Sequence, residues 1–314
     1  MPTSPPPPRR NWHLSRWLIV IVAAVMGWGG WRAYAFRSAL SQAKALGWEV
    51  GYTDPSVEIR RDWKRAFRKE TWLDGVRFVR IPTTEAFELH LDMVQRLNSR
   101  NLHISNAAAW RDLSALKSLS QLQGVNLTGG TGLTNVDALK NLPVLQRVSL
   151  IGCTGLTNVD ALTNLPTLQV VWLQGCTGLT NVDGITNLSA LREINFTGCT
   201  ALTNVDALTN LSSLKSVNLS DCTSLTSVDA LTNLRALQVV WLQGCTGLTN
   251  VDAVTNLSAL REFNLTGCTG LTNVDALKSL PALQGVFLTG CTGLTQESVA
   301  ALRLALPKAK IVGP

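Results

Sequence analysis

Histidine is almost missing from this 314-residue sequence, which has only His13, His90 and His103. Three scattered imidazoles leave almost nothing from which to build a histidine metal site or a Ser/His/Asp triad. Aromatic residues are 6 % and charged residues 16 %. With 46 % hydrophobic residues, that low charge excludes a chain disordered throughout. No C-x-x-C pair offers zinc spacing, and no glycine-rich phosphate loop is present. The seven cysteines are an odd number, so complete internal pairing is impossible. What remains is length enough for one or two domains with a substantial core.

The net charge of +7 is unevenly placed. Residues 1–100 hold 16 Lys and Arg against 9 Asp and Glu, so the whole excess lies there and residues 101–314 are neutral. A nucleic-acid partner is therefore not expected, because most of the chain carries no basic surface.

Residues 1–16 are expected to be a disordered, proline-rich basic tail, extended and solvated, with four consecutive prolines ahead of Arg9 and Arg10. From Trp17 to Trp31 run 15 uncharged, mostly apolar residues, and counting through Phe36 with Arg32 snorkelling gives 20. About 20 helical residues cross a bilayer core. Trp17 at one end and Trp31, Tyr34 and Phe36 at the other fit an aromatic belt. Residues 17–36 are thus expected to be a single transmembrane signal anchor. A cleaved signal peptide, with Ala33-Tyr34-Ala35 as its site, and a buried core helix are the alternatives. Arg9, Arg10 and Arg16 balance Arg32, Arg37 and Lys44 across the span. The short basic tail favours a cytoplasmic N-terminus, with the rest of the chain on the other side. Ala23 and Gly27 make a small-xxx-small pair through which two spans could pack as a weak homodimer.

Residues 37–74 read as a basic juxtamembrane segment. Residues 47–52 suggest a short strand. Residues 60–69, six of them basic, suggest a helix with Trp63 and Phe67 on one face, suited to anionic headgroups or simply to solvent. A second helix is expected over Thr84–Leu97.

The strongest signal is a repeat. Leu-Thr-Asn-Val-Asp, or a close variant, begins at Leu133, Leu156, Leu179, Leu202, Leu225, Leu248 and Leu271, each step being 23 residues. Degenerate units start at Trp110 and Leu294. One full unit places Leu145, Val148, Leu150, Gly152, Cys153, Leu156, Val159, Asp160, Leu162 and Leu165. Self-similarity at this period means a solenoid whose units bury their leucines only against neighbours.

The pattern resembles the leucine-rich repeat family, L-x-x-L-x-L-x-x-N/C-x-L, and within it the cysteine-containing subclass with short convex-side turns. The whole arrangement resembles bacterial membrane-anchored leucine-rich repeat proteins. The resemblance implies an α/β solenoid, a horseshoe with one parallel β-sheet on its concave face, spanning about residues 75–314, with caps at about 75–109 and 294–314. Some eleven strands are expected, from Phe78–Arg80 to Lys310–Val312, a sheet on the order of 50 Å long. Only about 20 residues follow the repeats, leaving no expected room for a catalytic domain.

Two ladders imitate chemistry. The seven cysteines occupy one repeat position, and stacked equivalent side chains ~4.8 Å apart point the same way instead of converging as disulfides must. They are expected to be buried free thiols. Seven aspartates, from Asp137 to Asp275, offer no six-oxygen calcium cage and are expected to N-cap the short turns that follow. No cofactor and no metal are expected.

In the family, exposed strand residues on the concave face usually hold the ligand. By that implication the candidate site here comprises Trp172, Trp241, Phe287, Arg147, Glu193, Glu262, Asn195, Asn264, Gln174 and Gln243. Burial cannot account for Trp172 and Trp241, and exposed tryptophans mark interaction sites. They are 69 residues apart, three units, so duplication alone explains their symmetry. The expected function is non-enzymatic binding of a protein or peptide. A cell-envelope glycan stacked on the aromatics, or a purely structural scaffold, is the alternative.

Overall fold

The computed structural model describes residues 37–51, 78–81, 95, 98–104, 107–108, 110–111 and 113–313. The segments expected at 1–16, 17–36 and 60–69, and all but Gln95 of the helix expected over Thr84–Leu97, lie outside the described residues. Among the described residues no helix is long and apolar enough to cross a membrane.

One twelve-stranded sheet runs through the described chain, its spatial order matching its sequence order. β1 (Glu49–Gly51) pairs antiparallel with β2 (Phe78–Ile81), and every later neighbour is parallel. β3 (Asn101–Ile104) and β4 (Gly124–Leu127) follow. Then come β5 (Arg147–Ser149), β6 (Val170–Trp172), β7 (Glu193–Asn195) and β8 (Ser216–Asn218). β9 (Val239–Trp241), β10 (Glu262–Asn264), β11 (Gly285–Phe287) and β12 (Lys310–Val312) complete it. The eleven parallel strands are those expected from the repeat. The antiparallel β1 is an addition. Residues 37–51, expected to belong to the basic segment ahead of the solenoid, join it: a helix over 37–45 and Trp48 place Ala39, Ala43 and Trp48 in the same core as the leucines.

The core follows from the unit. Val148 and Leu150 turn inward from the sheet, and Leu156, Val159, Leu162 and Leu165 fill the space behind it, all essentially inaccessible to water. Burying an aliphatic side chain of this size stabilises by ~1.5–3 kcal/mol. No single unit encloses its own leucines, so that stabilisation belongs to neighbouring pairs. Behind the core, short 3-10 turns such as Asp160–Leu162 and Asp183–Ile185 stack on one another. At the C-terminal end a helix, Gln296–Ala305, is capped by Thr295, whose Oγ1 accepts from the Ser298 N–H at 3.1 Å. It buries Val299 and Leu302 over the last unit and leaves Leu304 83 % exposed.

The aspartates are not the caps. Each is the first residue of its turn; the residue before it is valine, and no side chain bonds to the turn from that cap position. The acceptor is the asparagine two residues ahead: Asn181 Oδ1 takes the Asp183 N–H at 2.6 Å, and Asn273 Oδ1 takes that of Asp275 at 2.7 Å. In the one unit with serine there, Ser227 Oγ takes the Asp229 N–H at 3.0 Å. The aspartate carboxylates sit in the first turn, where negative charge suits the exposed N–H groups. Asp137 and Asp275 also pair with Lys140 and Lys278.

The cysteine ladder is as expected in place and state: all seven are free and buried. Each thiol donates to a backbone carbonyl 26 residues earlier, as Cys199 Sγ does to Leu173 O at 3.1 Å. Burial pushes the Cys153 thiol up to about 11 and those of Cys176, Cys222, Cys245 and Cys268 up to about 12, and raises Cys199 and Cys291 as well. Neighbouring cysteines in the ladder add to the rise at Cys176, Cys199, Cys245 and Cys268. A thiol so reluctant to ionise is neither nucleophile nor ligand.

Candidate functional site

The pleat decides what the concave face displays. In each three-residue strand the middle residue is buried and its two neighbours face outward, so the sheet presents rows of equivalent positions across the strands. The register fixes these rows: Arg147 lies beside Val170, Val170 beside Glu193, and Glu193 beside Ser216. One row over, Ser149, Trp172, Asn195, Asn218, Trp241, Asn264 and Phe287 stand side by side. All ten candidate residues lie on or just beyond these strands, on one face of the sheet.

The two tryptophans are 36 % and 37 % exposed. Each is held by a carboxylate on the next strand. Trp172 Nε1 donates to Glu193 Oε1 at 2.7 Å, and Trp241 Nε1 donates to Glu262 Oε1 at 2.9 Å. The bond orients each partly exposed indole, and it leaves each Glu Oε2 for another partner. Phe287 is less exposed; its ring lies back along its own strand over Gly285, where an added Cβ would sit 3.4 Å from the ring.

Asn195 and Asn264 have lost half their freedom. Their Oδ1 atoms accept the N–H of Thr197 and Thr266, each at 2.9 Å. The same bond recurs from Ser220 to Asn218. These asparagines tie the end of the strand to the following turn and keep only their Nδ2 donors for a ligand. Gln243 is exposed, whereas Gln174 Oε1 is buried with no hydrogen-bond partner among the described residues.

Arg147 is drawn away from the tryptophans. Its Nη2 reaches over Gly124 to Asn101 Oδ1 at 3.1 Å. Only glycine permits that crossing, since a Cβ at Gly124 would run into Asn101 Oδ1. The centre of the face, β6 to β10, therefore carries Glu193 and Glu262 and no outward strand cation.

Three residues of this face stand outside the ten. Asn101 anchors Arg147 from two strands away, a contact across 46 residues that nothing in the repeat pattern signals. Ser149, 5 % exposed beside Trp172, has an Oγ without a hydrogen-bond partner among the described residues. A serine in an outward position carries no sign of burial in the sequence. Asp221 adopts φ 58° in the turn after β8, where the other units have glycine, as Gly198 and Gly244. The Ser-Asp-Cys departure from Gly-Cys was the available signal. Aspartate tolerates this left-handed region better than most side chains. Among the described residues no group of three or more His, Cys, Asp or Glu is placed to hold a metal ion.

Among the solved structures similar to this chain is the leucine-rich repeat domain of the type III effector XopL, 19 % identical, with a TM-score of 0.62 and 98 % of this chain matched to 97 % of that one. Internalin C2 of Listeria monocytogenes is 19 % identical over 63 % of this chain and 83 % of its own, with a TM-score of 0.48. The functional domain of InlJ from the same organism, described as including a cysteine ladder, is 19 % identical over 64 % of this chain and 49 % of that one, with a TM-score of 0.47. At such identity the likeness concerns the fold. No curated protein matches the chain. The family model for the BspA type leucine rich repeat region matches in six copies over residues 128–245 and 219–300. Those copies span more than half of the sequence and coincide with the stacked units just described, so the chain belongs to the BspA-type leucine-rich repeat family.

Proposed function

We propose that the chain is a membrane-anchored, non-enzymatic interaction protein that binds a protein or peptide on the concave face of its solenoid. The observation that carries this is the pair of exposed tryptophans on β6 and β9, each fixed by a glutamate on the next strand. A rigid tryptophan on a solid surface is what a binding hot spot requires, because little side-chain entropy remains to be lost on association. The rest of the row adds amide donors around the aromatics.

Catalysis fits the face poorly. Glu193 and Glu262 lie three strands apart, ~14 Å at ~4.8 Å per strand, too far for carboxylates sharing one reaction centre, which stand roughly 5–10 Å apart. With Arg147 tied to Asn101, the face has no row of cations for a nucleic-acid backbone. Residues 17–36 supply the anchor in this proposal, with the N-terminus cytoplasmic, the solenoid across the membrane and a weak dimer through Ala23 and Gly27. Alkaline extraction of membranes should leave the full chain in the pellet; release into the supernatant would remove the anchor from the account.

The test of the face is a capture experiment with the immobilised full chain, wild type against Trp172→Ala/Trp241→Ala, probed with host lysate and envelope extract. A protein or peptide retained by the wild type and lost by the double variant is the expected result. A glycan lost in the same way would replace the protein partner with a sugar polymer. Equal retention by both forms would move the site off the concave sheet.

A further inference from the structure

We propose that the ligand of the concave face is a basic peptide that seats two lysine or arginine side chains at once, one on the Trp172–Glu193 pair and one on the Trp241–Glu262 pair. This rests on the concave sheet being the binding surface and adds the chemistry of what lies there.

Each pair is built as a cation seat. The indole N–H is already spent on Glu Oε1, so what the ring offers a ligand is its π face, the negative pole of its quadrupole. The carboxylate bonded to it offers Oε2, a second acceptor. Together they suit a group that is positive, rich in N–H donors and carried on an apolar stem, and lysine and arginine side chains are such groups. A neutral apolar ligand would leave the glutamate carboxylate desolvated without a partner.

The carboxylate oxygen left over at each pair, Glu Oε2, is an acceptor and asks for a ligand that donates. The protein's own cations do not fill the role. Arg147 is held toward β3 by Asn101. Arg192, Lys215 and Arg261 are exposed in the residues just before β7, β8 and β10, and none makes an ion pair with Glu193 or Glu262 among the described residues.

The register sets the ligand's spacing. The pairs recur three strands apart, so equivalent atoms stand ~14 Å from one another. An extended peptide advances ~3.4 Å per residue and puts alternate side chains on one side, so positions i and i+4 reach both seats from the same side. The proposal is thus a peptide crossing the strands with basic residues at i and i+4.

The test is isothermal titration of the full chain at about 0.15 M salt with synthetic nine-residue Gly/Ser peptides. These carry lysines at i and i+4, lysines at i and i+2, one lysine, or glutamates at i and i+4. The i, i+4 dilysine peptide should bind at least ~10-fold more tightly than the other lysine peptides, because the second seat is filled at an effective concentration in the millimolar range. The glutamate peptide should not bind. Trp172→Ala or Trp241→Ala should each reduce the dilysine peptide to single-lysine affinity. Glu193→Gln, which preserves shape and fold, should do nearly the same. Equal binding of both dilysine spacings, or of the glutamate peptide, overturns the proposal. So does an absence of any preference for lysine. If that failure comes while the wild type still captures a ligand that the double tryptophan variant loses, only the basic peptide falls and the concave site stands. If the double variant retains the ligand too, both fall.

Discussion

Cys199 shows how one residue type can look reactive in the sequence and be inert in the fold. Its thiol is fully buried and donates to Leu173 O, and burial together with the flanking Cys176 and Cys222 raises its pKa. The consequence for stability has a definite sign. Below the ordinary thiol value of 9.0 both folded and unfolded chains keep their protons, and the ladder adds no pH dependence. Above it the unfolded chain releases protons while the folded thiols hold theirs, Cys153 until about pH 11 and Cys176, Cys222, Cys245 and Cys268 until about pH 12, so stability falls as pH rises through that window. Urea midpoints measured from pH 8 to 11 should drop progressively, and Cys199→Ala should lessen the slope; a flat profile would contradict the buried ladder. At the same scale, the aspartate ladder shows where residue chemistry misleads. Asparagine and aspartate are both good caps, and Leu-Thr-Asn-Val-Asp contains both. Which one meets the open N–H depends on where the turn begins, and a boundary shifted by a single residue passes the task from Asp183 to Asn181. Likewise the exposure of Trp172 was legible from the alternation of β6, whereas its bond to Glu193 was not, because it joins residues 21 apart through a register only the stacked sheet defines.

Among the elements, the stacked turns contain one exception to their own consensus. Ala161, Ala207, Ala230 and Ala276 occupy the second position of their turns, but Gly184 stands there in the fourth of the eight 3-10 turns. A Cβ added at Gly184 would run into the carbonyl oxygen of Val159 and lie 2.6 Å from Asp160 Cα, so this turn packs closer to its predecessor than the alanine turns do. Restoring the consensus should therefore destabilise. Gly184→Ala is expected to cost about 1–3 kcal/mol, as overpacking does, despite the better helix propensity of alanine. Chemical denaturation compared with wild type measures it, and a rise in midpoint would show that the turn has room. The strand pattern, with its buried middle residue, was readable throughout from Gly124 to Phe287 because every unit repeats it. β1 and the helix over 37–45 were harder to place. A lone strand candidate at 47–52 carried no sign of its partner, and its pairing with β2 skips 26 residues of chain.

For the whole molecule, stacking converts a local repeat into a long continuous surface, and the account places function on one side of it. Near-identical units give a uniform convex side of aspartates, threonines and short turns. The concave side departs from uniformity, with Trp172, Trp241 and Phe287 in one row and Glu193 and Glu262 in the next. The architecture was legible because seven 23-residue copies admit one way of stacking. The ligand was not, because rows across strands exist only once the units are stacked. The most direct test of the concave face is site-specific photo-crosslinking in cells that make the full chain, with a photoreactive phenylalanine at Asn218, between the two tryptophans, or at Thr209 behind the core. The account expects ligand adducts from position 218, absent from position 209 and abolished by Trp172→Ala/Trp241→Ala. Adducts from position 209 alone, or adducts at 218 that survive the loss of both tryptophans, would contradict it.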